Sequence, residues 1–141
     1  MKRILTYRGV VYPWHCDQMG HMNVMYYVGK FDEATWNMLA AIGITRDYMG
    51  DRQCGAAAVV QNIIYKRELV AGDVIDVWTQ IASVGDRKVR FVHEMFDAQR
   101  NELCATCDLL GVHMNRVTRR ATPFPPEIRD RALEFLTVAE S

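Results

Sequence analysis

The chain has 141 residues, half of them hydrophobic, which is enough to bury the core of a single domain over residues 1–141. Its 17 Lys and Arg residues balance 17 Asp and Glu residues, so no global charge would attract nucleic acid or an anionic membrane. No segment approaches the roughly 20 apolar residues of a membrane span, and no apolar stretch follows the basic N-terminus as in a secretory signal. We therefore expect no nucleic-acid partner, no membrane partner and a cytoplasmic location.

The first half of the chain predicts a strand, a loop and a long helix. Residues 3–12 carry spaced apolar and aromatic side chains typical of a strand, and residues 14–22 read as a loop. Asn23 is a good N-cap, and hydrophobic residues recur at spacings of three and four through 24–42. Gly43 then fits a helix C-terminus. Apolar residues spread around much of this helix, so we expect it to be well buried.

The second half is rich in β-branched and aromatic residues and predicts strands at 55–66, 73–84, 88–98 and 102–114. Turn-forming triplets separate these segments, which favours an antiparallel meander, because parallel crossovers need about a dozen residues or more. A short amphipathic helix is predicted over 127–136. One strand, one long helix and four further strands indicate an α+β fold with a curved sheet laid against the helix.

Four cysteines could form two disulfides in a secreted protein, but the lack of an export signal favours reduced thiols. Cys104 and Cys107 have the C-x-x-C spacing within a predicted strand, where residues three apart point to opposite faces. We therefore interpret both as core residues rather than as a metal or redox pair.

The stretch from Asp17 to Tyr27 places a carboxylate in a glycine-containing loop ahead of the long helix. A helix N-terminus offers unpaired backbone N–H groups and a partial positive charge, so it can receive the oxyanion that forms when a carbonyl is attacked. The Asp17 carboxyl, with an ordinary pKa of about 3.9, is ionised at neutral pH. Thioester hydrolysis suits such a sparse site, because a thiolate leaving group of pKa roughly 8.5 departs without a strong general acid.

The pattern Asp-x-x-Gly-His-x-Asn-x-x-Tyr, from Asp17 to Tyr26, resembles the signature of hotdog-fold acyl-CoA thioesterases of the 4-hydroxybenzoyl-CoA thioesterase type. The resemblance covers essentially the whole chain. It implies a hotdog fold of about five antiparallel strands around a central helix, an acyl-CoA substrate hydrolysed to a free acid and CoA, and a homodimer or homotetramer. His21 and Asn23 are similar to a Gly-His-x-Asn subgroup of the family, which argues against an aromatic acyl group.

The resemblance also implies the roles of individual residues. Asp17 is expected to act as a nucleophile or as a general base, and the backbone N–H of Val24 is expected to polarise the thioester carbonyl. The other substrate-binding residues expected within the motif are His21, Asn23 and Tyr26.

A basic turn precedes the third predicted strand of the second half and carries Arg87 and Lys88. A site for the nucleotide phosphates of CoA should be locally basic, and similar turns lie near these phosphates in related thioesterases. We therefore expect Arg87 and Lys88 to bind the CoA phosphates.

Alternatives stay open from the sequence. The chain could be a non-catalytic acyl-CoA-binding hotdog protein, or a hotdog hydratase or dehydratase, which would need a His with a carboxylate partner. An acyl carrier protein could replace CoA as the thiol. His15, Asp17 and His21 lack the i, i+4 histidine spacing of helical zinc motifs, so no metal is expected, and no cofactor either.

Overall fold

A computed structural model describes residues 2–136 of the chain. Five strands and three α-helices follow one another as β1 (Ile4–Val10), α1 (Val24–Ala41), α2 (Arg46–Arg52), β2 (Cys54–Tyr65), β3 (Val74–Val84), β4 (Lys88–Asp97), β5 (Glu102–Asn115) and α3 (Pro126–Glu134). A short 3₁₀ helix, Pro13–His15, lies between β1 and α1. The strands form one antiparallel sheet in the order β1-β3-β4-β5-β2. The predicted α+β architecture is therefore confirmed.

Helix α1 has well-defined signals at both ends. The side-chain oxygen of Asn23 accepts a hydrogen bond from the backbone N–H of Met25 at 2.9 Å and so caps the first turn. At the other end Gly43 has a φ of 99°, a left-handed conformation that favours glycine and stops the helix. The residues that α1 buries recur every three or four positions and are Tyr27, Lys30, Phe31, Ala34, Thr35, Met38 and Leu39.

The inner face of the sheet covers this buried side of α1. The predicted alternation is confirmed in β3, where Ile75, Val77, Thr79 and Ile81 are buried. It is confirmed equally in β4 by the burial of Val89, Phe91, His93 and Met95. Helix α1 and the three inner strands β3, β4 and β5 thus supply most of the buried hydrophobic residues.

The predicted meander is correct for β3, β4 and β5 but wrong for β2. This strand pairs with β5, from Cys54 opposite Asn115 to Tyr65 opposite Ala105, and therefore forms the far edge of the sheet. Ala71-Gly72-Asp73 does form a turn, with Gly72 at a φ of 98°, but this turn ends a crossing segment and not a hairpin. Turn residues reveal a change of direction, whereas the partner of a strand depends on tertiary contacts. Helix α2 was also not predicted, because its seven residues are too short for a clear period.

Cys104 and Cys107 are both buried and unpaired, as predicted for core residues. Simple alternation does not hold at this point of β5. Met95 pairs with Ala105 and Phe96 with Leu103, which leaves Cys104 as the extra residue of a β-bulge. The bulge shifts the alternation by one residue, so both cysteines are interior.

A chain of polar side chains links the helix to three strands inside this core. The His93 ring lies between two hydroxyls, with Nε2 2.8 Å from Oγ1 of Thr35 and Nδ1 2.6 Å from Oγ1 of Thr79. Thr79 is in turn 2.7 Å from the hydroxyl of Thr6 on β1. Burial lowers the pKa of His93 to about 4, so the ring is neutral at pH 7.

This buried histidine predicts a loss of stability in mild acid. An exposed histidine of the unfolded chain has a pKa of about 6.5, so the unfolded state binds a proton first as the pH falls. We expect the free energy of unfolding to drop between about pH 6.5 and pH 4, by up to about 3 kcal/mol, and the contribution to be complete above pH 6.5. Urea unfolding at several pH values across this range measures the loss of unfolding free energy. His93→Asn should lose the slope above about pH 5, and an equal slope in the variant would contradict the assignment.

Candidate active site

Asp17 lies in a tight loop that β1 and α1 hold at its two ends. Cys16 and Met22 form an antiparallel bridge across the base of the loop. Within it the N–H of Gly20 donates to the Asp17 carbonyl at 3.0 Å, and Gly20 has a φ of 84°. A residue with a Cβ would be strained in this conformation, so the loop conformation explains the glycine of the motif.

The Asp17 carboxylate is held through both of its oxygens. Oδ1 accepts a hydrogen bond from the backbone N–H of Met19 at 2.8 Å, and Oδ2 accepts one from Nδ2 of Asn23 at 2.7 Å. These two donors lower the pKa of Asp17 below its ordinary value, because they favour the charged form. The carboxylate is therefore anionic at neutral pH and fixed in direction.

Asn23 joins this carboxylate to the start of α1. Its amide NH₂ donates to Asp17 while its amide oxygen accepts from the N–H of Met25. The backbone N–H of Val24, at the first position of the helix, has no acceptor among the described residues. Asn23 thus links the Asp17 carboxylate to the first turn of α1, and the catalytic roles of Asp17 and of the Val24 N–H stay predictions.

A cleft of about 380 Å³ opens beside the first turn of α1, and we call it the His21 cleft. The residues that line it are His21, Met22, Val24, Tyr27, Tyr65, Lys66, Arg67 and Glu68. Nε2 of His21 lies 3.7 Å from a carboxylate oxygen of Glu68.

The charged residues of this cleft were not predicted as part of the site. Lys66, Arg67 and Glu68 follow β2, 45 or more positions after His21, and the N–H of Met22 brings the two segments together by donating to the Leu69 carbonyl at 2.7 Å. The only signal in the sequence was three consecutive charges after an uncharged strand. Arg67 is engaged by Glu102 at 2.7 Å, whereas Lys66 forms no ion pair within residues 2–136.

The structure separates Tyr26 from the His21 cleft. The Tyr26 ring lies 4.6 Å from the ring of His15, measured between centroids, in a second and larger cleft of about 600 Å³. This second cleft lies between β1 and the first half of α1, and we call it the β1 cleft. Residues that line it include Tyr7, Tyr12, Trp14, His15, Tyr26 and Lys30.

A single chain does not bring Arg87 and Lys88 to Asp17. The chain leaves the sheet toward the Asp17 loop at Val10, which pairs with Val74, the first residue of β3. The Arg87–Lys88 turn follows the last residue of β3, and an 11-residue strand spans about 33 Å. Both basic side chains are exposed at this opposite end of the sheet.

Comparisons with known proteins identify the family and the fold of the chain. A family model described as the thioesterase-like superfamily matches residues 11–132. By sequence, the chain is 29% identical over 126 residues to an L-carnitine dehydrogenase/betainyl-CoA thioesterase of Agrobacterium fabrum. That match covers 88% of this chain and 25% of the relative, so the chain spans about a quarter of the relative's length.

Two solved structures show the same fold at low sequence identity. A Staphylococcus aureus protein in complex with CoA has a TM-score of 0.88 at 17% identity, over 100% of this chain and 91% of that one. A 1,4-dihydroxy-2-naphthoyl-CoA thioesterase from Synechocystis has a TM-score of 0.81 at 16% identity, over 94% of this chain and 97% of that one.

The chain therefore belongs to the thioesterase-like superfamily, and the predicted hotdog fold is confirmed. Membership of this family supports thioester hydrolase activity. Among the helices of residues 2–136, none is both long and apolar enough to cross a membrane.

The role of Asn23 predicts a specific effect on Asp17. Asn23→Ser keeps an oxygen that can cap α1 but removes the amide donor, whereas Asn23→Ala removes both. We expect the pKa of Asp17 to rise in both variants, and only Asn23→Ala to lose about 1 kcal/mol of unfolding free energy. NMR titration of the Asp17 carboxyl carbon and urea unfolding measure the two effects. An unchanged pKa in both variants would show that the amide does not hold the carboxylate in solution.

Proposed function

We propose that this protein hydrolyses an acyl-CoA thioester to a free acid and CoA, with Asp17 as the nucleophile or the general base. The observation that carries the proposal is the hydrogen-bonded chain from Asp17 through Asn23 to the first turn of α1. It holds an anionic carboxylate beside a helix N-terminus whose first N–H, that of Val24, is available to a carbonyl oxygen. The names of the relatives support the substrate class, since two are CoA-ester thioesterases and one was solved with CoA.

Both routes use the same groups. In the nucleophilic route Asp17 attacks the thioester carbon, the C–S bond breaks to release the thiolate, and water hydrolyses the resulting mixed anhydride. In the general-base route Asp17 takes a proton from water, the water oxygen attacks the same carbon, and the C–S bond then breaks to release the thiolate. The oxyanion accepts from the Val24 N–H in either case. The lowered pKa of Asp17 keeps the carboxylate ionised, as both routes require.

The His21 cleft is the cavity next to the Val24 N–H, and it supports binding of one arm of the thioester there. We propose that His21 contacts this arm directly and that Asn23 acts by positioning Asp17. Tyr26 lines the β1 cleft instead, so a contact between Tyr26 and the substrate would require the substrate to extend past His15.

We further propose a homodimer that pairs the β2 edges of two copies. Strand β2 is twelve residues long, carries no charged residue and exposes Val59, Val60, Ile64 and Tyr65 to a third or more of their full extent. Long uncharged edge strands invite pairing with another chain. Antiparallel pairing would set the Tyr65 end of one β2, beside the His21 cleft, against the Cys54 end of its partner.

This pairing would bring the Arg87–Lys88 turn of one copy to the candidate active site of the other. Within one chain Lys88 pairs with Val112, and Val112 pairs with Ala57 near the start of β2. The Arg87–Lys88 turn therefore lies at the Cys54 end of β2, which the dimer places at the active-site end of the partner. We propose that Arg87 and Lys88 bind the CoA phosphates across the dimer.

One observation favours a hydratase as the second candidate. His21 and Glu68 lie 3.7 Å apart and could form the histidine–carboxylate pair that moves a proton at the α-carbon of an acyl thioester. Glu68 is largely exposed, which weakens its control over His21. A hydratase would leave the thioester bond intact, so an assay for released thiol separates the two candidates.

Asp17→Asn is expected to abolish hydrolysis. The amide keeps the size of the side chain but is neither an effective nucleophile nor a base, so we expect at least an approximately 100-fold fall in kcat. Thiol release from a panel of betainyl-CoA, short-chain, long-chain and aromatic acyl-CoAs measures the loss and ranks the acyl groups. Asp47→Asn, at an exposed aspartate of α2, is the matched control and should retain full activity. Turnover near the wild-type rate by a folded Asp17→Asn variant would refute the proposal.

The double variant Arg87→Ala, Lys88→Ala is expected to raise KM for acyl-CoAs more than for pantetheine thioesters, which lack the nucleotide phosphates. Mixing it with Asp17→Asn subunits tests whether the turn acts across the dimer. In a mixed dimer one site would then carry both defects and the other would be intact, so activity with a low KM should reappear. If the turn served its own chain, no mixed site would be intact and the high KM would persist.

A further inference from the structure

The β1 cleft contains a buried lysine that the proposed hydrolysis does not use. Lys30 is only 6% exposed, although it lies on the first half of α1 at the wall of a cleft of about 600 Å³. Its Nζ donates one hydrogen bond, to the Tyr7 hydroxyl at 2.9 Å, and forms no ion pair with a carboxylate of residues 2–136. Buried lysines are rare without an anionic partner, because removing an ammonium from water is costly.

Strand β1 provides the residue that contacts Lys30, namely Tyr7. The Tyr7 ring lies over the backbone of Gly9, and a Cβ at Gly9 would overlap the Tyr7 hydroxyl. In this position the Lys30 Nζ lies 5.1 Å from the centroid of the Tyr7 ring and donates to the Tyr7 hydroxyl oxygen. The Tyr7 hydroxyl therefore accepts from Lys30 and keeps its own proton to donate to a further acceptor.

His15 adds another donor to the same cleft. Its Nδ1 accepts a hydrogen bond from the backbone N–H of Tyr12 at 3.0 Å. Burial and the nearby charge of Lys30 lower the pKa of His15, so at neutral pH the ring is neutral and its proton is on Nε2. The cleft is thus lined by an ammonium, a hydroxyl and an imidazole N–H, all of which can donate to an anion.

A pair of stacked rings forms the outer wall. Tyr12 and Trp14 lie 4.5 Å apart between centroids and within 5° of parallel. Trp14 is 67% exposed, so much of its surface is open to a further planar group. Donors within the cleft and an aromatic surface at its mouth together suit a ligand that has an anionic group and a planar ring.

We propose that the β1 cleft is a second binding site, for a planar-ring anion whose carboxylate or phosphate contacts Lys30, Tyr7 and His15 and whose ring stacks on Trp14. The site is distinct from the His21 cleft and does not depend on the proposed hydrolysis. Two sources share this chemistry, a free aromatic acid and the nucleotide of a coenzyme. Glu33 lines the same cleft one turn along α1 but is exposed and forms no ion pair with Lys30.

The test uses the full-length protein with three probes: benzoate, adenosine 3′,5′-bisphosphate and inorganic phosphate. Calorimetry should show that at least one of the two ring-bearing probes binds the wild type more tightly than phosphate alone. Lys30→Met should weaken that binding at least about tenfold, since a charge-assisted hydrogen bond is lost. The variant should also have a higher Tm than the wild type without probe, because an unpaired buried charge is removed.

Two controls make the result specific. Lys2→Met removes a lysine elsewhere and should leave both probe binding and Tm as in the wild type. The double variant Arg87→Ala, Lys88→Ala should keep the Lys30-dependent binding of the probe, which separates this site from the proposed site of the CoA phosphates. Preference for benzoate would identify an aromatic acid as the ligand, and preference for the bisphosphate would identify a nucleotide. Binding of neither ring-bearing probe to the wild type, or equal binding by Lys30→Met, would overturn the proposal.

Discussion

The amide of Asn23 is the contact on which the candidate active site depends. A helix cap needs an acceptor at this position, and the Asp17 carboxylate needs a donor. An amide side chain supplies both at once, so Asn23 can accept from the Met25 N–H while donating to Asp17. Aspartate would cap the helix equally well but would repel Asp17. Serine or threonine would cap the helix, but a hydroxyl is too short to reproduce the fork of an amide.

The N-terminal half of α1 serves two clefts because of its helical period. Val24 and Tyr27, three residues apart, line the His21 cleft, whereas Tyr26 and Lys30, four residues apart, line the β1 cleft. The interior side of the helix between them packs on the sheet through Phe31 and its neighbours. The helix therefore separates two clefts of different chemistry, and the stripe that it buries is apolar except for Lys30 and Thr35. A substitution that shifted the start of α1 by one residue would rotate both sets of side chains away from their clefts.

How much of the site the sequence predicts depends on the distance along the chain over which each contact forms. The Asp17–Asn23 contact spans six residues, so a motif could place both at one site. The His21 cleft also needs Lys66–Glu68, and these residues reach it through contacts between distant segments, such as the bond between Met22 and Leu69. The same limit applies to the fold: period-two alternation predicts which residues of β3 and β4 are buried, but it carries no information on the partner of β2. The apolar spacing of α1 runs through Tyr27, Val28 and Phe31 and omits Lys30, so periodicity alone gave no reason to expect a buried lysine there.

The β2 edge connects the fold to the assembly that we propose. Proteins protect exposed edge strands with lysines, prolines, bulges or short length, and β2 has a bulge near Val60 but no charge or proline over its twelve residues. The charges begin directly after it, at Lys66, where the strand turns toward the His21 cleft. This pattern suits a strand that pairs with a second copy of itself. The apolar residues of the two copies then cover one another, while the charges stay at the ends. Antiparallel pairing of identical strands is two-fold symmetric, so each charged end, and the site beside it, would then meet the opposite end of the partner.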